Sequence, residues 1–303
     1  MIRCITTECI PTLIGLRRPV HIVYHAAMKR FGLEVEEEDV KRAYAHGFKT
    51  VQARYPNFSL TRGGGQSQAT KERTEGKKTL VSLWRVYMLP SELAYYKDWW
   101  RLSVLETLNA PGMPATGWSA EQFDIFFQYI FSEFGSVRTW QAQPGAKDFL
   151  MHCQGQGIIT GLLDNSYARY IDDTLPLCDG LHEALHFAVL GGDYDPPLVK
   201  PSLAAFQEAL RKANVARGLF DPTGAEIVPE EMMHLGNRLN GDYAGARRAG
   251  WRAFLVDPTG AIREKLRRGE VDLERLGCSL SPDDVVVDLK EALSVMQGRG
   301  LLR

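Results

Sequence analysis

The spacing of apolar positions changes twice along the chain. Residues 1–7 form a short apolar run with β-branched side chains, which is typical of a buried strand, and Pro11 prevents that strand from continuing. From residue 19 to residue 138, apolar positions recur at helical spacing. The predicted helices span 20–31, 36–55, 95–108 and 120–134. Ser119 and Gln122 have the spacing of a capping box at the start of the last of these helices.

After residue 135, short apolar runs alternate with helical stretches, which is typical of a parallel α/β sheet. The predicted strands span 158–163, 184–190, 232–235, 251–256 and 284–288. The predicted helices span 144–154, 167–177, 202–213, 242–249 and 289–296, with a loop insertion at 215–229. The expected fold class is therefore α/β, with a Rossmann-like parallel sheet core and an inserted all-helical cap domain. The core domain is predicted at 1–18 and 136–303, and the cap domain at 19–135.

One segment inside the cap departs from this pattern. Residues 61–78 are rich in glycine, glutamine, serine and basic side chains. A segment of this composition buries too little apolar surface to pack, so we predict a flexible basic insert there.

Composition limits the class of protein. The formal net charge is −1, which argues against broad coating by nucleic acid, and no run of about 18 apolar residues predicts a membrane span. The N-terminus begins almost at once with a strand pattern, so we expect no signal peptide. The five cysteines are scattered, which favours reduced thiols over a metal framework. We therefore expect an intracellular reducing compartment, either the cytoplasm or the mitochondrial matrix.

Polar residues follow four of the predicted strands where each one ends. These positions are 8–12, 164–165, 200–201 and 237–242. In open α/β sheets, ligands bind beyond the carboxyl ends of the strands, so these residues define the candidate site. Their order and spacing resemble those of the haloacid dehalogenase superfamily, and the helical insertion after the first group resembles the cap of that family.

The resemblance implies a role for each position in phosphoryl transfer. Glu8 stands where the family has its nucleophilic aspartate, and Ile10 where it has the general acid and base. Asp164 stands at the serine or threonine that holds a phosphoryl oxygen, and Lys200 at the neutralising lysine. The Mg²⁺ ligands would be Glu8, Asn237 and Asp242, since Mg²⁺ takes oxygen ligands. Thr12, Lys200 and Asp242 match the family pattern.

The departures from the pattern weaken this chemistry. Glutamate moves the attacking oxygen by about an ångström, and misplacement on that scale costs on the order of 10²-fold in rate. Isoleucine at position 10 transfers no proton, a loss of about 10²–10⁴-fold. The carboxylate of Asp164 would repel a phosphoryl group. We therefore predict a catalytically impaired protein without a resident cofactor. It would act as a scaffold or binding component of a protein or ribonucleoprotein assembly, with RNA contact through 61–78.

Other interpretations stay open. A Mg²⁺-dependent hydrolase with low or altered activity, acting on a small phosphorylated substrate, is the alternative. Lys200 and Asp242 could form a buried structural ion pair, and Asp242 could be only a helix N-cap. Three carboxylates in one cleft, those of Glu8, Asp164 and Asp242, would either bind a cation or raise at least one pKa.

Overall fold

A computed structural model describes residues 1–55, 95–194 and 196–302 of the chain, without the side chain of Tyr95. The chain forms two compact units, one made of residues 1–17 and 136–303 and the other of residues 18–135. The predicted basic insert at 61–78 lies outside the described residues. Among those residues, no helix has the length and apolar character needed to cross a membrane.

The first unit is built on a six-stranded sheet in the order β5-β4-β1-β6-β7-β8, in which every neighbouring pair is parallel. Its strands are β1 (Cys4–Thr7), β4 (Ile159–Asp164), β5 (Phe187–Leu190), β6 (Met232–Gly236), β7 (Arg252–Val256) and β8 (Val285–Val286). A separate antiparallel pair is formed by β2 (Ile14–Leu16) and β3 (Trp140–Ala142). This is the Rossmann-like parallel core that the strand and helix pattern predicts.

The helices of this unit cover the sheet. They are α5 (Ala146–Gly155), α6 (Leu203–Phe220), α7 (Gly245–Arg248), α8 (Ala261–Arg267), α9 (Leu273–Leu276) and α10 (Leu289–Gly298). Cys4 and Ile159 lie in one core cluster with Phe206 of α6. Their strand neighbours Ile5 and Leu162 point the other way and are fully buried as well. Burial on both faces explains why these strands are apolar runs without a polar alternation.

The regular secondary structure in the described part of the second unit consists of helices alone. Its helices are α1 (Val20–Arg30), α2 (Glu37–Arg54), α3 (Tyr95–Leu108) and α4 (Ala120–Glu133). The predicted capping box is present: Ser119 Oγ accepts from the Gln122 N–H, and Gln122 Oε1 accepts from the Ser119 N–H. Aromatic side chains fill the core, for example Phe31 packed edge-on against Phe126. This is the all-helical character expected of the cap domain.

Three local predictions were wrong. Residues 167–177 form no α-helix but a π-helical turn at Tyr170–Thr174 and a 3₁₀ turn at Leu175–Leu177, because Pro176 lacks the N–H that a longer helix needs. The supposed loop from 215 begins as helix, since α6 runs to Phe220, just before Asp221-Pro222. The last strand covers Val285–Val286 alone, after a 3₁₀ turn that contains Pro282.

Candidate functional site

Glu8 lies at the carboxyl end of β1, beside the end of β6. Its backbone is extended, and its N–H donates to Leu235 O at 2.8 Å, so the β1–β6 pairing holds it in place. The side chain is buried, with Oε2 3.3 Å from the Asn237 N–H nitrogen that donates to it. Ile10 follows in the turn, and its side chain has no polar atom. The position of the family nucleophile is therefore occupied by a sequestered carboxyl group.

Asp164 ends β4, next to the end of β1. Its Oδ2 accepts from the Cys9 N–H and its Oδ1 from the Ser166 N–H, each at 2.8 Å. The side chain is buried, with 8% of the residue exposed. Both carboxylate oxygens are thus bound by backbone amides of the chain itself.

Lys200 is held from two directions. Asn165 accepts from the Lys200 N–H at 2.7 Å and donates to the Lys200 carbonyl at 3.2 Å, which positions the backbone. The buried ammonium lies 2.5 Å from Asp242 Oδ1 and donates to Leu163 O at 2.6 Å. The structural ion pair expected from the sequence is therefore present.

Asp242 uses both carboxylate oxygens. Oδ1 is shared by Lys200 Nζ and His234 Nε2, the latter at 3.2 Å, and Oδ2 accepts from the Arg238 N–H at 2.8 Å. Gly236 permits this approach, because a Cβ there would lie 2.4 Å from Asp242 Cγ. The N-cap interpretation was wrong: Asp242 lies inside the helical turn Leu239–Ala244, and its own N–H donates to Arg238 O.

His234 is a site residue that the sequence analysis missed. It lies in the middle of β6, is fully buried, and its Nδ1 is 2.8 Å from Thr6 Oγ1 on β1. The signal was a single histidine inside the apolar run 232–236, since a buried polar side chain requires partners. It links the Lys200–Asp242 pair to the interior of the sheet.

Burial and mutual charge set the pKa values of the site. Burial raises the pKa of Glu8 to about 8; the attraction of Lys200 opposes this, and the carboxylates of Asp242 and Asp164 add to it. Crowding of the three carboxylates therefore contributes to a raised pKa, as expected, but burial of Glu8 is the main cause. Burial also acts against the charge of Asp242, but Lys200 and His234 outweigh it and hold its pKa well below the usual range. The pKa of His234 is lowered by burial and by Lys200.

The family's magnesium ion does not fit this set of residues. Both Asp242 oxygens already bind the chain, and burial raises the pKa of Glu8 to about 8, so Glu8 is mostly uncharged at neutral pH. Asn237 Oδ1 is buried and makes no hydrogen bond with the described residues, but it is a single neutral oxygen. No cluster of three or more histidine, cysteine or acidic side chains suited to a metal occurs in the part of the chain described. We derive no chemistry through a metal.

The fold and the site define a class of protein. A parallel sheet with an inserted helical unit carries polar residues at the ends of β1, β4 and β6, and the family model for haloacid dehalogenase-like hydrolases matches residues 93–250, just over half of the 303 residues. The chain belongs to the haloacid dehalogenase-like hydrolase family.

Two relatives by sequence and one solved structure show what the chain is similar to. The chain is 27% identical to haloacid dehalogenase-like hydrolase domain-containing protein 3 of Mus musculus, over 97% of each chain. It is 25% identical to an uncharacterized hydrolase of Schizosaccharomyces pombe, over 84% of this chain and 91% of that protein. Among solved structures, the 2-haloacid dehalogenase of Pseudomonas syringae pv. Tomato DC3000 covers 99% of this chain and is itself covered completely (100%), with a TM-score of 0.54 and 16% identity. That likeness concerns the fold alone.

Proposed function

We propose that the chain is a haloacid dehalogenase-like protein that does not turn over phosphate esters and serves as a binding component of a protein or ribonucleoprotein assembly. The lack of turnover is supported by the ion pair and hydrogen bonds that join the polar side chains at the strand ends. Lys200 and Asp242 match the family's catalytic pattern, yet they bind each other at 2.5 Å in a buried position. Groups that are engaged with each other are withdrawn from a substrate.

Two further positions also lack the chemistry that the family's reaction needs. Ile10 transfers no proton, which removes a contribution of about 10²–10⁴-fold. Glu8 is a weak nucleophile at neutral pH because its pKa of about 8 leaves it mostly protonated. Residues of one catalytic unit act together, so these losses need not add. Each of them points in the same direction.

The binding part of the proposal rests on surfaces outside the site. The basic segment 61–78 has the composition of a chain that becomes ordered on a phosphate-rich partner. In the described part, the end of α6 exposes large apolar side chains, with Val215, Leu219 and Phe220 at 56%, 79% and 66% of their possible exposure. Exposed apolar groups of this kind suit contact with another macromolecule.

A weak hydrolase is the second candidate, and one observation favours it. Thr12 Oγ1 and Asn237 Oδ1 are buried and make no hydrogen bond with the described residues, so two polar atoms at the strand ends have capacity for a ligand. In that case Glu8 would act as the nucleophile and turnover would require Mg²⁺.

Turnover of a generic aryl phosphate distinguishes the two candidates. Purified protein is assayed with millimolar Mg²⁺ beside Glu8→Gln, Asp242→Ala and the surface control Glu230→Gln. We expect all four preparations to release product at the rate of the buffer alone, because no free nucleophile or acid meets the substrate. Turnover by the wild type and the control that is lost in both site variants would establish the hydrolase and remove the proposal.

A separate pair of preparations tests the proposed binding role. Full-length chain and a chain lacking 61–78 are purified from cells with their bound material, with and without ribonuclease. We expect the full-length chain to retain a specific partner that the deletion loses. Ribonuclease sensitivity would assign the contact to RNA, and resistance would assign it to protein. Identical recovery by both chains would exclude the segment from binding.

A further inference from the structure

We propose that an apolar surface at the end of α6 binds a basic amphipathic helix of a partner protein. This surface, the α6 patch, consists of Val215, Leu219, Phe220 and Val228. Each of these large side chains keeps between 46% and 79% of its possible exposure, in a part of the chain far from the strand ends that carry Glu8. This assignment rests on the proposed binding role and adds the chemistry of the partner.

The α6 patch has the spacing that a second helix requires. Val215 and Leu219 are one helical turn apart, so they lie on the same face of α6. That face points away from the sheet, since Ala213 on the opposite side of the helix is buried in the core. Phe220 ends the helix, and its ring packs edge-on against His186, with the ring centroids 5.0 Å apart. Apolar side chains one turn apart form the kind of ridge against which another helix packs.

The chain that follows α6 is anchored, so the α6 patch is a fixed surface. Asn214 donates to Ile227 O at 3.1 Å and accepts from the Ile227 N–H at 2.7 Å. Arg3 donates to the carbonyls of residues 225–226, at 2.5 and 2.9 Å. These bonds bury Ile227 and leave its neighbour Val228 exposed beside α6. A surface that is ordered before binding loses less conformational entropy when a partner docks.

Acidic side chains border the α6 patch at two points. Glu226 precedes Val228 by two residues. Glu183 precedes by three residues the histidine on which the Phe220 ring packs. Both glutamates are exposed, and neither forms an ion pair within residues 1–55, 95–194 and 196–302. Their charge is therefore available to a partner.

The basic side chains of the same region are already bound within the chain. Arg211 donates two hydrogen bonds to Glu208, at 2.7 and 2.8 Å. Arg217 pairs with Asp221 at 2.9 Å, and the Lys212 ammonium donates to a carbonyl of β5 at 2.7 Å. The charge that remains for a partner at the α6 patch is negative, which repels RNA and anionic membranes. It attracts a polypeptide that carries lysine or arginine beside its apolar residues.

Fluorescence anisotropy of a labelled peptide tests the proposal on the full chain. The probe is an amphipathic helix of leucine and lysine, about 18 residues long, and a counterpart carries glutamate in place of each lysine. We expect the wild type to bind the leucine–lysine peptide at least about tenfold more tightly than the leucine–glutamate peptide. Replacing Glu183 and Glu226 together with glutamine should reduce this preference, most of all at low salt.

Two leucines of the same helix provide the variant and its control. Leu219→Ala should weaken binding of the leucine–lysine peptide by about tenfold, because the leucine side chain no longer becomes buried against the peptide. Leu219 is largely exposed, so its substitution leaves the fold intact. Leu203 is 52% exposed and begins α6, about 24 Å along the helix from Leu219. Leu203→Ala should leave the affinity unchanged.

Equal affinity of Leu219→Ala and Leu203→Ala for the leucine–lysine peptide would overturn the proposal, as would a preference for the leucine–glutamate peptide. A wild-type dimer in sedimentation that Leu219→Ala abolishes would assign the α6 patch to a second copy of the chain and would also overturn it. Peptide binding without recovery of a cellular partner would support the α6 patch and contradict the broader binding role. Recovery of a partner without peptide binding would do the reverse.

Discussion

Replacing Lys200 with methionine lowers the free energy of unfolding by about 3–5 kcal/mol, the cost typical of breaking a buried ion pair from one side. The substitution keeps most of the side-chain volume but removes the ammonium that lies 2.5 Å from Asp242 Oδ1. Asp242 is fully buried, so it is left with an uncompensated charge that His234 and the Arg238 N–H only partly satisfy. The carbonyl of Leu163 also loses its donor. Chemical denaturation at pH 7 measures the effect.

Matched variants identify the source of this loss. Lys41→Met removes a close ion pair, 2.9 Å from Glu38, in which both side chains are largely exposed, and it should leave stability almost unchanged. Combining Lys200→Met with Asp242→Asn should recover part of the loss, because the unpaired charge disappears with its partner. A Lys200→Met protein as stable as Lys41→Met would contradict the buried pair.

Replacing Glu8 with glutamine stabilises the protein at alkaline pH and leaves it nearly unchanged at acidic pH. The folded state raises the pKa of Glu8 from an ordinary value of 4.5 to about 8, through burial and the carboxylates of Asp242 and Asp164. The folded protein therefore binds this proton more tightly than the unfolded chain does. Stability linked to it is fully present below about pH 4.5 and is lost as the pH rises through about 8. Each pKa unit is worth about 1.4 kcal/mol, so the full loss is roughly 5 kcal/mol.

Denaturation of wild type, Glu8→Gln and Glu230→Gln between pH 5 and 9 measures this dependence. The glutamine amide keeps an acceptor for the Asn237 N–H without a titrating group, so the variant should lack the decline between pH 5 and 8. Glu230 is exposed, and its substitution should follow the wild-type curve. A Glu8→Gln curve parallel to that of the wild type at every pH would show that Glu8 is charged in the folded state.

The sequence predicts the fold because its apolar pattern changes period where the architecture changes. Strands buried on both faces appear as short apolar runs, and the helices of the inserted unit as a repeat near 3.6 residues. Features that depend on distant residues could not be predicted. Leu16 pairs with Trp140 although more than a hundred residues of inserted chain separate them, and neither segment contains a local pattern that predicts this pairing. The ends of helices were also hard to predict. The helix α6 continues to Phe220, through side chains that are compatible with either a helix or a loop.

The candidate site could be predicted in its position and in one of its contacts. Parallel strands place their carboxyl ends at one edge, so residues far apart in sequence, such as Glu8 and Lys200, were expected together. Opposite charges at two matched positions predicted the Lys200–Asp242 pair. At Asp164 the sequence predicts only that the carboxylate repels a phosphoryl group. The groups that bind this carboxylate are backbone amides, which side-chain identity does not reveal. His234 was missed because a lone histidine in a strand carries no spacing pattern.

The central claim is that the charges at the strand ends satisfy one another and leave no site for a magnesium ion. Calorimetric titration of Mg²⁺ into the wild-type protein at pH 7.5, with Asp242→Asn as the reference, tests it most directly. The account predicts no heat above dilution at millimolar Mg²⁺ in either protein, because the Asp242 oxygens are already bound and Glu8 is largely protonated. Saturable binding by the wild type that Asp242→Asn abolishes would contradict the account and return the chain to the metal-dependent hydrolases of its family.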